Sequence, residues 1–221
     1  MRIRFKKWAR PELEASKFYI DEPEQNKGKW KNIFNNHNPI HIELGCGKGG
    51  FISQIACENK NINYIAIDLV DAMLGLAKRN IESNYKEHNT EIDNVYISRY
   101  DIDRILNVFD KNDKIERIYI NFCNPWPRGK HHKKRLTHER QLEKYKTFLV
   151  DGGKIYFKTD DDRLFDDTVT YLNNSGFKIE KITYNLAQEH DFWNGQRNIE
   201  TAHEKMFKEQ GIKIKALIAR I

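Results

Sequence analysis

The pattern of apolar and polar positions along the chain predicts strands and helices in alternation. Short apolar runs predict strands over residues 39–44, 62–67, 94–98, 115–122, 154–158, 177–184 and 212–221. Segments with apolar positions three and four residues apart predict helices over 49–59, 71–85, 137–150, 163–173 and 200–209. Thr137 is the expected N-cap of the third helix, and Asp151-Gly-Gly153 is expected to end it.

This alternation is typical of an α/β fold, in which helices cover a mostly parallel sheet and ligands bind at the carboxyl ends of the strands. The apolar run over 115–122 suits a central strand with both faces buried. Because little chain separates the last two strands, we expect them to form an antiparallel edge pair. The predicted fold is therefore Rossmann-like, with a seven-stranded sheet.

Length and composition point to one domain. The 221 residues are 39% hydrophobic, and no Pro/Gly-rich linker divides them. We expect a single domain over residues 1–221, with residues 1–30 as a basic N-terminal arm. The three cysteines have neither a disulfide framework nor zinc spacing, which favours a cytoplasmic protein without a metal. No signal sequence or membrane-length apolar stretch is visible, so no membrane association is expected.

Positive charge is unevenly distributed. The 38 Lys and Arg residues exceed the 32 Asp and Glu residues, for a net charge of +6. Five basic residues and no acid lie in the first ten positions, and a second basic block covers residues 128–135. Such runs are either solvated faces or nucleic-acid contacts, and both interpretations stay open at this point.

Glycines are concentrated where the first predicted strand meets the first helix. Gly45, Gly47 and Gly50 match Gly-x-Gly-x-x-Gly, a pattern that allows either NAD or S-adenosyl-L-methionine. Glu43 suits the cationic methionine end of S-adenosyl-L-methionine and would repel a pyrophosphate. Asp68, which follows the second strand, is placed to accept hydrogen bonds from both ribose hydroxyls. These two acids favour S-adenosyl-L-methionine over a glycine turn without a ligand.

Two further residues near this loop allow simpler interpretations. Asp101 follows the third strand, where its carboxylate is expected to accept from the adenine amine, to cap a helix over 102–109, or to do both. Cys46 is interpreted as a small residue that fills the loop, because nothing nearby marks it as activated.

A proline-rich turn, Asn121-Phe-Cys-Asn-Pro-Trp-Pro-Arg128, ends the fourth strand. It lies at a strand end of the same predicted sheet, where a target base would meet the methyl group. The turn belongs to a series of motifs spread over nearly the whole chain: the opening Arg-x-Arg with Trp8-Ala, Gly28-Lys-Trp30, the Glu43 to Gly49 loop, Asn124 to Arg128, Lys133-Lys-Arg-Leu-Thr137, Phe157-Lys-Thr-Asp160 and Thr201-x-x-Glu204. In these motifs the sequence resembles the bacterial tRNA (guanine-N7)-methyltransferases of the TrmB family.

The resemblance implies a class I S-adenosylmethionine-dependent methyltransferase that acts on N7 of guanine 46 in the tRNA variable loop, with tRNA as its partner and no obligatory protein partner. The expected cofactor-binding residues are Glu43, Gly45, Gly47, Asp68, Asp101 and Asn124. Asn124 is also the expected catalytic position. The expected substrate contacts are Arg128, Asp160, Thr201 and Glu204.

The chain departs from the family pattern at two positions. The family turn usually reads Asp-Pro-Trp, whereas this chain has Asn124, and Arg128 stands where Lys is usual. Guanine N7 carries a lone pair in the neutral base, so methylation needs no general base. Asn124 accepts once and donates once, whereas an Asp would accept twice from guanine. We therefore expect reduced or redistributed electrostatic help from Asn124, and not loss of activity.

Several candidate residues also have structural interpretations. Trp126 is expected either to brace the turn or to stack on a base. Asp160 is a candidate helix cap, and Thr201 and Glu204 have capping-box spacing. In the basic block, His131 and His132 are interpreted as phosphate contacts or solvated side chains, not as metal ligands. The block, including Lys133, Lys134 and Arg135, is expected to attract the tRNA backbone.

Other functions stay open from the sequence alone. An amino-methyltransferase acting on another RNA base would use a related Asn-Pro turn. A cytosine-C5 enzyme would use Cys123 as its nucleophile. The glycine loop also permits an NAD(P)-dependent oxidoreductase, and Asn124 permits a non-catalytic RNA-binding protein.

Overall fold

The computed structural model describes residues 5–221, and its architecture is α/β with a mostly parallel sheet, as predicted. Within this range the strands are β1 (Tyr19–Ile20), β2 (Ile40–Leu44), β3 (Asn63–Asp68), β4 (Val95–Arg99), β5 (Ile115–Asn121), β6 (Leu149–Thr159), β7 (Lys178–Thr183) and β8 (Lys215–Arg220). The α-helices are α1 (Ala9–Glu14), α2 (Ile52–Glu58), α3 (Asp71–Glu87), α4 (Glu139–Phe148), α5 (Asp162–Asn174) and α6 (Ala202–Glu209). No helix of this range is both long and apolar enough to span a membrane.

The seven predicted strands and five predicted helices are confirmed, and the structure adds β1 and α1. β1 has two residues, which is too short to show an alternating pattern. It brings the number of strands to eight instead of seven. Arg2 and Arg4, which belong to the predicted basic arm, lie outside the described residues.

The prediction around α4 was wrong in two details. His138 is the N-cap, since its Nδ1 accepts from the Arg140 amide at 3.1 Å. Thr137 is buried instead, and its hydroxyl lies 2.7 Å from the hydroxyl of Thr168. The helix ends at Phe148 and β6 starts at the next residue, so the predicted Asp-Gly-Gly stop lies inside the strand.

The chain up to Ile115 forms a first compact unit, whose strands lie in the order β1-β4-β3-β2. All three strand pairs are parallel, with Ile65 of β3 opposite Ile42 of β2 and Tyr96 of β4. Every residue of β2 is buried, as expected for a parallel strand covered on both faces. Parallel pairing places the carboxyl ends of β2, β3 and β4 at one edge of this unit.

Part of the predicted basic arm is packed on the first unit through α1. A Cβ on Gly75 of α3 would lie 2.7 Å from the Trp8 ring, so the missing side chain permits this contact. The Arg79 guanidinium lies 3.7 Å from the Trp8 ring centroid and bonds to Glu12 at 2.6 and 2.9 Å. Residues 8–14 therefore form part of the folded unit.

Residues Glu116–Ile221 form the second compact unit, with strand order β5-β6-β8-β7. β8 runs antiparallel to both of its neighbours, and Leu217 lies opposite Phe157 of β6 and Ile182 of β7. The predicted antiparallel pair of the last two strands is thus confirmed. An irregularity between Ile179 and Lys181 shifts the register of β7.

One buried carboxylate organises the loops of the first unit. Asp113 is 3% exposed and accepts from the backbone amides of Gly28 at 2.9 Å, Trp30 at 3.1 Å and Asp110 at 2.8 Å. The indole of Trp30 is fully buried and donates to the Val108 carbonyl at 2.8 Å. These bonds join the segment before β2 to the segment before β5.

Replacing Asp113 with Ala should lower the free energy of unfolding by about 3 kcal/mol, because three backbone donors lose their acceptor. Urea denaturation followed by tryptophan fluorescence would measure the change. Asn112→Ala, at the exposed neighbouring position, is the matched control and should change stability little. Equal losses for the two variants would contradict this role of Asp113.

Candidate functional site

The glycine loop after β2 is a tight turn with left-handed backbone at Gly45, Gly47 and Gly49, whose φ values are 78°, 54° and 73°. A Cβ on Gly49 would lie 2.7 Å from Cβ of Ala77 in α3, whereas a Cβ on Gly50 would meet nothing within 4 Å. The dinucleotide pattern assigns close packing to its third glycine, which would be Gly50 here. The close approach is made by Gly49 instead, so the loop departs from a dinucleotide-binding turn.

The amides of this loop point into the protein. Gly45 and Cys46 both donate to the Ile67 carbonyl, at 2.8 and 3.1 Å, and Gly49 donates to the Cys46 carbonyl at 2.9 Å. The Gly47 amide donates to the Asp68 carboxylate at 2.9 Å. A pyrophosphate is normally bound by such amides. Here four loop amides already donate to acceptors within the protein.

Two acids lie beside the loop. Glu43 in β2 is 2% exposed, and Asp68 ends β3, where its other oxygen accepts from the Val70 amide at 3.0 Å. Burial raises the pKa of Asp68, and the hydrogen bonds from Val70 and Gly47 oppose this rise. Burial also raises the pKa of Cys46, with further contributions from Asp68 and Glu43. The loop thus lies in a negative field, and Cys46 is an inert thiol, as predicted.

Asp101 caps a helix, which confirms the structural interpretation of this residue. Its carboxylate accepts from the Asp103 amide at 3.0 Å and begins a 3₁₀ helix over Ile102–Asn107, two residues shorter than the predicted helix. Asp101 follows β4 and is exposed. Within the first unit it lies at the same strand edge as Glu43 and Asp68.

The turn after β5 is held by its own asparagine. The Oδ1 of Asn124, an exposed residue, accepts from the Trp126 amide at 3.0 Å. Phe122 and Trp126 have φ values of 51° and 44°, a left-handed conformation that is rare for aromatic residues. Strained backbone of this kind persists only where the surrounding structure enforces it, and it often occurs at functional sites.

The buried side chain of Arg135 holds the turn in this conformation. This side chain is 1% exposed, and its Nε donates to the Pro125 carbonyl at 2.7 Å. Its guanidinium also pairs with Asp167 at 2.5 Å and donates to the Tyr171 hydroxyl at 3.3 Å. The predicted contact of Arg135 with the tRNA backbone is therefore wrong, since the side chain is buried in protein.

The remaining basic block is on the surface. Arg128, Lys130, Lys133 and Lys134 are exposed around a 3₁₀ helix over Gly129–Lys134. The Lys134 Nζ lies 5.1 Å from the Trp126 ring centroid, and the His131 ring lies 5.7 Å from it. Among the described residues no group of three or more His, Cys, Asp or Glu is arranged to hold a metal ion.

Cys123 precedes Asn124 but is not activated. Burial is the main cause that raises the pKa of this thiol to about 12, and Asp160 and Asp161 add to the effect. A thiol with this pKa is protonated at neutral pH. This protonation argues against the cytosine-C5 interpretation, which requires a thiolate nucleophile.

Asp160 follows β6 and is not the helix cap. The neighbouring Asp161 caps α5 by accepting from the Leu164 amide at 2.6 Å. Burial raises the pKa of Asp160, while positive charge at Lys215 and His203 opposes this rise. The backbone carbonyl of Asp160 accepts from Lys215 Nζ at 2.8 Å. The carboxyl group of Asp160 thus lies half-buried just after the end of β6.

Thr201 and Glu204 begin α6 as their spacing predicts. The Thr201 hydroxyl accepts from the Glu204 amide at 3.2 Å. Glu204 is fully buried, and its carboxylate bonds to Lys158 Nζ at 2.8 Å and to Asn198 at 2.6 Å. Lys158 also donates to the Ile199 carbonyl at 3.0 Å. The Glu204 side chain is thus enclosed, and its carboxylate is shared by Lys158 and Asn198.

The second unit brings two predicted site positions to neighbouring strand ends. The Phe122 amide donates to the Lys158 carbonyl at 2.9 Å, so the turn of Asn124 and the end of β6 at Asp160 are adjacent. Lys158 was missed by sequence reasoning, although a lysine inside an otherwise buried strand is itself a signal. Its partner could not be identified without the fold.

Comparison with known sequences places the chain in a family. The sequence model of a family described as putative methyltransferase matches residues 37–217. The chain is 56% identical over 219 residues to a tRNA (guanine-N(7)-)-methyltransferase from Clostridium botulinum (strain Alaska E43 / Type E3), covering 99% of this chain and 98% of that protein. It is 55% identical over 221 residues to the protein of the same name from Clostridium perfringens (strain 13 / Type A), covering 100% and 99%.

Solved structures support the fold. The 16S rRNA methyltransferase KamB matches with a TM-score of 0.63 at 12% identity, over 87% of this chain and 92% of that one. At this identity the likeness concerns the fold alone. The sequence matches show that the chain belongs to the family described as putative methyltransferase, and within it to the group of the tRNA (guanine-N(7)-)-methyltransferases.

Proposed function

We propose that this protein transfers a methyl group from S-adenosyl-L-methionine to N7 of guanine 46 in the variable loop of tRNA. Membership of the family supports the reaction class, and the names of the relatives support guanine N7 in tRNA as the target. Three free cysteines are compatible with a reducing cytoplasm, where we place the reaction. No obligatory protein partner is part of this proposal.

One observation carries the choice of cofactor: the loop after β2 turns its amides inward and places carboxylates beside the turn. A dinucleotide pyrophosphate would meet negative charge there and would compete for amides that already have acceptors. A ligand with a positive charge and ribose hydroxyls suits the same groups. This contrast disfavours an NAD(P)-dependent oxidoreductase.

S-adenosyl-L-methionine fits the residues of the first unit. Glu43 would meet the ammonium group of its methionine part, and Asp68 would accept from the ribose hydroxyls, since each carboxylate oxygen has a second lone pair. Asp101 would accept from the adenine amine while it caps its helix. When bound, the cofactor supplies an electrophilic methyl group on a positively charged sulfur.

Residues of the second unit would orient the guanine. The base needs no proton removed before it reacts at N7, so positioning and charge stabilisation supply the rate. Asp160 would accept from the Watson–Crick edge, and Asn124 would hydrogen-bond either the base or the cofactor. Arg128 would contact phosphate. Thr201 and Glu204 would act by holding the segment before α6, and Glu204 would do so through Lys158.

The reaction can be tested with unmodified tRNA transcripts. Incubation with the protein and S-adenosyl-L-methionine should yield 7-methylguanosine, detected by nucleoside mass spectrometry. A transcript with adenine in place of guanine 46 should not be methylated. Formation of a methylated adenine or cytosine, or of no methylated nucleoside at all, would overturn the proposal.

Asn124→Asp should raise the single-turnover rate on tRNA about fivefold, because a carboxylate accepts more strongly and stabilises the positive charge that develops on guanine. The turn should survive, since an Asp oxygen can accept from the Trp126 amide as Asn124 does. The comparison with wild type uses rapid quench at saturating protein. An unchanged rate and an unchanged tRNA affinity would remove Asn124 from the mechanism.

Replacing Lys133 and Lys134 together with Ala should weaken tRNA binding and lower the slope of log affinity against log salt by about two. Both side chains are exposed, so stability should change little. Arg135→Ala is the contrasting variant: it should destabilise the fold, because it leaves Asp167 without its buried partner. A salt slope that stays at the wild-type value would contradict the role of the two lysines.

A further inference from the structure

Three aromatic rings lie together beside the turn of Asn124. The centroid of Phe122 is 6.2 Å from that of His203 and 6.1 Å from that of Phe207, and the last two are 6.4 Å apart. The ring planes differ by only 22 to 30°. Because the three separations are nearly equal, the rings do not form a column. They form a triangular group of nearly parallel rings, which we call the aromatic cluster.

The aromatic cluster is accessible and is not part of the hydrophobic core. His203 is exposed, and Phe122 and Phe207 are half-buried. His203 also lies close enough to Asp160 for its charge to influence that carboxyl. A group of nearly parallel aromatic rings with a carboxylate nearby suits a purine that stacks on a ring and presents two N–H donors at one edge.

The cluster is held at a defined place by buried charge. Lys158 lies 5.8 Å from the Phe122 ring centroid, and its ion pair with Glu204 fixes the first turn of α6, the helix that carries His203 and Phe207. Both charged groups are buried, at 3% and 0% exposure. Burying an ion pair costs desolvation energy and specifies position more than it adds stability. Here the pair connects β6 to the first turn of α6.

We propose that Phe122, His203 and Phe207 form the stacking surface for the target guanine, with Asp160 at its Watson–Crick edge. This inference rests on the proposed function and adds to it the residues that recognise the base. Methylation at N7 leaves the guanine with a positive charge. The faces of Phe122 and Phe207 attract cations, so these two rings favour the charge that develops during transfer. This attraction compensates in part for the missing negative charge at position 124, where the side chain of Asn124 is neutral.

Four variants test this inference. His203→Ala and Phe207→Leu each remove a ring, and His203→Phe keeps one. Met206→Ala is the control, because Met206 is exposed on the same helix and is not in the cluster. The measurements are kcat/KM for tRNA, KM for S-adenosyl-L-methionine, and the affinities for unmethylated tRNA and for tRNA carrying 7-methylguanosine, both with S-adenosylhomocysteine present.

His203→Ala and Phe207→Leu should each lower kcat/KM for tRNA about tenfold, with KM for S-adenosyl-L-methionine unchanged. In Phe207→Leu the preference for methylated over unmethylated tRNA should also fall about fivefold relative to wild type. His203→Phe should retain the wild-type kcat/KM for tRNA, and Met206→Ala should retain both the wild-type kcat/KM and the wild-type preference. The exposed position of His203 keeps the test decisive if Phe207→Leu proves unstable.

A wild-type kcat/KM in His203→Ala, or a wild-type preference in Phe207→Leu, would overturn the stacking role, as would an equal loss in Met206→Ala. These results differ from failure of the proposed function. In that case wild-type protein would itself form no 7-methylguanosine. A wild type that makes this nucleoside, with ring-removing variants that match it in rate and preference, would reject the stacking surface alone.

Discussion

Parallel pairing of strands is the constraint on which this site depends. Strands that run in one direction present their carboxyl ends at one edge, where the last residues leave the sheet and their side chains become available to ligands. In the first unit this constraint places Glu43, Asp68 and Asp101 at a common edge, although 58 positions of sequence separate the first from the last. In the second unit the backbone hydrogen bond from Phe122 to Lys158 places the turn of Asn124 beside Asp160.

The strands, the helices and the glycine loop were predictable because each has a local signal. Apolar runs, helical spacing and glycines between a strand and a helix are read within a short window. The acids beside the loop were found by the same means, since each lies near the end of a recognisable strand. From the sequence, the ligand of these acids could be inferred only from their charge. The direction of the loop amides is visible only in the fold.

Residues that act through distant partners were not predictable in this way. Arg135 was counted with a surface block because its neighbours are basic, yet it is buried against Pro125 and Asp167. Glu204 fitted a capping box, but its pairing with Lys158, 46 positions earlier in the sequence, depends on tertiary structure. Charge in a sequence identifies candidates for ion pairs, and only packing determines whether a protein or a nucleic acid is the partner.

Close packing of Gly49 against Ala77 ties the loop to the middle of α3. Ala77 is buried. Its methyl side chain neither reacts nor forms hydrogen bonds, so chemical criteria would not select it as a functional residue. A larger side chain there would press on the loop backbone and displace the Glu43 to Asp68 region as a unit. A buried position in the middle of a helix thus limits the shape of a loop at the end of a strand, through the space it leaves and not through any contact with a ligand.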